Sequence, residues 1–72
     1  MSLIEANLGT DYVVKNIHTD DEELLGFLFS LGCYRGAAIT VVSCTKGGYV
    51  LSIKDARYNV DSDLVRAIEV ES

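Results

Sequence analysis

The side chains able to do chemistry in this 72-residue chain are few and scattered. A single histidine, His18, precedes an acidic run, Asp20-Asp21-Glu22-Glu23, and the two cysteines, Cys33 and Cys44, stand well apart. A first-row metal site needs three or four ligands converging at about 2.0–2.3 Å. The chain has no Cys-x-x-Cys spacing and no second histidine. His18, Cys33 and Cys44 are therefore candidate ligands only for a weakly held divalent transition metal. His18 beside the acidic turn is best placed to share one between molecules. Both cysteines read as small hydrophobes destined for burial, and no cofactor is required.

Nucleophilic and phosphate chemistry find less support. Ser2, Ser30, Ser43, Ser52, Ser62 and Ser72 lack any local signature, and one histidine cannot be assigned as their base. Lys46-Gly47-Gly48 lacks the strand–loop–helix setting of a phosphate-binding loop and reads as a hairpin turn. Arg35, Arg57 and Arg66 could in principle reach a partner nucleotide, but nothing local singles one out. The chain is expected not to be an enzyme. Six Lys and Arg against eleven Asp and Glu give a net charge of −5. With no basic cluster, nucleic acid and anionic lipid are excluded as principal partners.

The elements that must position these groups follow from periodicity. Residues 1–72 form one domain, with no linker or repeat. The longest uncharged run, Leu24 to Tyr34, is eleven residues, short of the ~18–20 needed to cross a bilayer. No signal peptide is visible, because Glu5 and Asp11 interrupt the N-terminus. The expectation is a cytoplasmic protein without direct membrane insertion. Leu3 to Gly9 is an amphipathic lead-in closed by a glycine turn. Tyr12 to Ile17 is β-branched and aromatic and predicts the first strand.

Thr19-Asp20-Asp21-Glu22 fits a capping box, and the acidic residues suit the positive end of a helix. That helix runs to about Leu31 and stops at Gly32. Ala37 to Cys44, Tyr49 to Ile53, a short strand through Tyr58 and Val60, and Ala67 to Val70 complete the set. Asp61-Ser62-Asp63 caps a single helical turn before the last of them. About five short strands with one helix after the first predict a mainly β, small SH3-like barrel, closed so that no edge is left open.

The helix carries more apolar surface than such a barrel needs. At about 100° per residue, Leu24, Leu28 and Leu31 form a core stripe, while Leu25 and Phe29 lie on one side of it and Phe27 on the other, an arc of roughly 200°. Either the lead-in (Leu3, Ile4, Leu8) covers the surplus, or Leu25, Phe27 and Phe29 form a surface for a partner or for self-association.

In this order the elements resemble the ferrous iron transport protein A (FeoA) family. The resemblance is carried by Leu24, Leu28 and Leu31-Gly32, then Gly36 and Ile39-Thr40-Val41-Val42. The Gly9 lead-in and the terminal Ala67-Ile68-Glu69-Val70 add to it. The chain departs from the family in having Leu25-Gly26-Phe27 in place of mid-helix basic residues. Arg35 stands where a proline often precedes Gly36, and Asp61 where an arginine is frequent. The resemblance implies a cytoplasmic accessory of ferrous iron transport that binds a GTP-hydrolysing membrane iron permease. The same domain type is similar to the C-terminal module of iron-dependent repressors, which implies the alternative of a metal-sensing or peptide-binding module.

Overall fold

The computed structural model describes residues 1–71. A single 3-10 turn, Leu3–Glu5, leads into β1 (Asp11–Ile17), α1 (Glu22–Leu31), β2 (Ala38–Thr45), β3 (Gly48–Ile53), β4 (Ala56–Val60), α2 (Ser62–Ala67) and β5 (Ile68–Glu71). The strands form one antiparallel sheet in the order β4-β3-β2-β1-β5. Register shifts between Val14 and Asn16 in β1, and between Val41 and Ser43 in β2, mark the bulges that let so short a sheet coil. The mainly β architecture with one principal helix after the first strand is the one expected from the strand count.

Closure differs in detail from the expectation of a barrel without edges. β4 and β5 end the hydrogen-bonded order, and α2 bridges them with Val65 fully buried. The outer edge of β5 is covered by the N-terminus. The Val70 amide donates to the Met1 carbonyl at 2.7 Å, and the Met1 amine donates to the Val70 carbonyl at 2.8 Å. The outer edge of β4 has no partner among the described residues.

The core gathers Leu3, Val14, Leu28, Cys33, Ile39, Val41, Leu51, Ile53, Val65, Ile68 and Val70, so every element except β4 places at least one fully buried residue in it. Ile39 and Val41, and likewise Leu51 and Ile53, share the inward face as the alternation predicts. Cys44, expected to be buried, is exposed. The bulge between Val41 and Ser43 returns Cys44 to the face of Val41, but opposite Tyr49 at the turn end of the β2–β3 hairpin it lies beyond the end of the core. Gly48 must be glycine there. Its φ is 133°, and a Cβ would come within 2.5 Å of the Val60 carbonyl oxygen.

The start of α1 is set differently from the expected Thr19–Glu22 box. Asp21 is the cap, its Oδ1 accepting from the amides of Glu23 at 3.0 Å and Leu24 at 3.2 Å. Thr19 stands outside the helix, its hydroxyl accepting from the Asp21 amide at 3.1 Å. Asp21 stands directly before the first helical residue, where one carboxylate oxygen reaches both orphan amides, so it takes the position. Gly32, at φ 94°, ends α1 as expected. The Cys33 amide donates to Leu28 and the Gly32 amide to Phe29, a Schellman pair that returns the chain to β2.

Candidate interaction surface

The helix α1 packs on the sheet through Leu28, with Leu24 half-buried beside it. Leu25 (37% exposed), Phe27 (53%) and Phe29 (67%) face outward. The lead-in does not cover them: Leu3 is buried, Leu8 is exposed, and the N-terminal turn packs on α2 and β5 instead. The surplus apolar surface anticipated on this helix is therefore real.

It is not one patch. Leu25 and Phe29 line a cleft of about 280 Å³ together with Asn16 and Ile17 at the end of β1 and Cys33, Tyr34 and Arg35 after α1. Phe27 is absent from that lining, because it lies on the opposite flank of the core stripe. The ring centroids of Phe29 and Tyr34 are 5.2 Å apart, tilted by 40°. The Lys54 ammonium sits 5.2 Å from the centre of the Tyr34 ring, within cation–π range. Lys54 gets there from the two-residue β3–β4 turn, where it and Asp55 both have positive φ (49° and 68°). Its aliphatic stem crosses Gly32, close enough that a Cβ there would lie 2.8 Å from it.

Arg35, Tyr34, Lys54 and Ile17 were not expected to join Leu25 and Phe29. Arg35 stood out only as one of three isolated cations and as a departure from the family pattern, and Lys54 lies in the turn between the expected third and fourth strands. Their convergence depends on the β3–β4 turn folding back against the end of α1.

The candidate metal ligands are dispersed. Cys33 is buried under the cleft, and burial pushes its thiol up to about 11, far from the thiolate that binds metal. Cys44 borders a separate hollow by the β2–β3 turn. His18 Nε2 lies 2.6 Å from Glu69 Oε1, and the Lys15 ammonium lies 3.5 Å from Glu69 Oε2. The hydrogen bond from His18, aided by the Lys15 charge, holds the Glu69 carboxyl below its ordinary range. No group of three His, Cys, Asp or Glu side chains converges among the described residues. None of the described helices is long and apolar enough to cross a membrane.

A five-stranded antiparallel SH3-like sheet, with a helix inserted after the first strand and an apolar cleft on that helix's outer flank, is the architecture of a small SH3-like domain. The FeoA domain family model matches residues 1–72, and the chain belongs to that family. Solved structures agree. An iron uptake regulatory protein (FeoA) superposes with a TM-score of 0.84 at 25% identity, over 99% of this chain and 93% of that one. A zinc-complexed FeoA of Stenotrophomonas maltophilia, described as a procaryotic SH3 domain protein, superposes at 0.84 and 18% identity, over 99% and 89%. The repressor ScaR with bound Cd²⁺ shares the fold at 0.84 and 24% identity, over 100% of this chain and 35% of that one. No curated protein sequence matches the chain significantly.

Proposed function

We propose that this FeoA-domain chain is a cytoplasmic accessory of ferrous iron transport that binds the cytoplasmic part of a GTP-hydrolysing membrane iron permease. The observation that carries the reading is the Leu25–Phe29 flank, left uncovered by its own fold and opening into an apolar cleft. Its mechanism is contact rather than catalysis: the domain favours whichever permease conformation exposes a matching surface, and shifts the population by its differential affinity. Titration of the permease's cytoplasmic portion with this chain tests it. Saturable binding that Leu25→Asp and Phe29→Ser each weaken at least about tenfold is expected. No binding at high micromolar concentration overturns it.

The likeness to a Cd²⁺-bound repressor and a zinc-complexed FeoA favours a second reading, a metal-sensing module. His18 with Glu69 is then the place for a weakly held divalent ion, which must displace the Lys15 ammonium from the carboxylate. Calorimetry with Zn²⁺, Mn²⁺ and Fe²⁺ decides: stoichiometric heat supports it, and a flat titration removes it.

A further inference from the structure

We infer that the outer flank of α1 is the contact face of a weak two-fold homodimer, packed helix against helix in antiparallel register about Gly26. The inference goes beyond the permease reading and does not rest on it.

Glu22, Leu25, Gly26 and Phe29 are all exposed and recur at i, i+3, i+4 and i+7, the spacing of one helix face. Gly26 stands at the middle of that face. A Cβ there would meet nothing within 4 Å, so the protomer's own packing gives no reason for glycine. Glycine in a helix interior costs about 1 kcal/mol relative to alanine. A bare backbone at the centre of an exposed apolar stripe is what allows a second helix to approach closely.

Charge selects the occupant. The start of α1 carries Glu22 beside Asp20, Asp21 and Glu23, whereas its far end is bordered by Arg35 and Lys54. Neither cation makes an ion pair among the described residues. A two-fold axis near Gly26 lays Glu22 of one copy toward Phe29 and Arg35 of the other, twice, and opposes the two helix dipoles. A parallel pairing would set carboxylates against carboxylates, and an anionic membrane would repel the acidic end of the same face. A ten-residue helix is about 15 Å long and buries less than the ~1,200 Å² of a stable interface, so the dimer is weak and exchanges readily. Bound to itself, the chain hides the flank that the permease would use.

Sedimentation velocity from about 10 µM to about 1 mM, with far-UV circular dichroism to confirm folding, tests this. Wild type should shift from monomer to dimer over that range. Gly26→Ala should weaken the dimer at least about threefold while raising the melting temperature of dilute monomer, two effects that a purely structural glycine would not combine. Glu22→Lys should weaken it about tenfold, although it lowers the net negative charge and on general repulsion would strengthen association. Adding Arg35→Glu to Glu22→Lys restores the wild-type net charge and should recover most of the affinity. On dilution, wild-type amide shifts should move at Leu25, Gly26, Phe29 and Arg35. A monomer throughout, a dimer indifferent to Gly26→Ala and Glu22→Lys, or shifts confined to another face overturns the inference. A monomer that binds the permease portion leaves the functional reading standing; a dimer whose permease titration is flat does the reverse.

Discussion

The two helices of this domain are used in opposite ways. α2 is six residues long, buries Val65 completely, and has the N-terminal turn packed over it. α1 is ten residues long, fully buries only Leu28, and leaves three large apolar side chains in water. Both are started by an aspartate, Asp61 accepting from the Leu64 amide at 2.9 Å as Asp21 does for Glu23 and Leu24. The difference therefore lies in what each outer face meets, not in how each helix is nucleated. α2 fills the gap between the two ends of the sheet, while α1 is held by one stripe and offers the rest.

The strongest test of that contrast is a matched pair of charges. Val65→Asp puts an unpaired carboxylate where no water reaches, a penalty of several kcal/mol against a domain whose whole stability is of similar size. That variant should be unfolded at 25 °C by circular dichroism. Leu25→Asp, on the outer flank of α1, should cost about 1–2 kcal/mol by urea titration and leave the domain folded, while weakening partner binding at least about tenfold. Equal damage from the two would mean that the α1 flank is structural after all.

Within α1 the same contrast runs across a single helix. Leu28→Ala should cost about 2–5 kcal/mol, because it opens a cavity beneath the helix. At the cap, Asp21→Ala should cost about 1 kcal/mol, and Thr19→Ala, which loses only a hydrogen bond to the Asp21 amide, a few tenths. Urea titrations of the three variants give the order directly. If Thr19→Ala were the more costly of the two cap variants, the helix would begin where the sequence pattern first suggests.

That last point shows which features the residues themselves encode. Alternation placed Ile39 and Val41, and Leu51 and Ile53, on the inward face because a strand's faces are set locally by a period of two. Leu31-Gly32 marked the helix stop because only glycine adopts the left-handed cap without strain. Thr19, Asp20 and Asp21 are all good cap residues in a row, so composition could not choose among them. Phe27 separates from Leu25 and Phe29 because one width of apolar arc covers two flanks that the sheet divides. The basic rim was illegible for a different reason: Lys54 and Tyr34 are neighbours only because the β3–β4 turn folds back over Gly32. Simple alternation sets Cys44 on the face opposite Val41, but the bulge between Val41 and Ser43, which alternation cannot show, moves it to Val41's face, where the core has already ended.

The smallest expected effect concerns the tie between the two regions. His18, on the segment entering α1, bonds to Glu69 of β5, the strand leaving α2, and Lys15 of β1 approaches the same carboxylate from the other oxygen. The Glu69 carboxyl is held below its ordinary range first by the hydrogen bond from His18, against an opposing effect of desolvation, with the Lys15 charge adding a smaller lowering. A carboxyl whose folded pKa is depressed contributes stability that is present above the unfolded carboxylate value and lost as pH falls through the folded one. Wild type should therefore exceed Glu69→Gln in stability at neutral pH, with the gap narrowing as the pH drops below about 4 and vanishing once both carboxyl forms are neutral. The pair is exposed, so the gap should be small and should shrink further in about 0.5 M salt. Thermal melts of both proteins between about pH 3 and pH 7 measure it. The absence of a gap at any pH would show that Glu69 holds the two regions together by packing its stem, which glutamine keeps, and not by its charge.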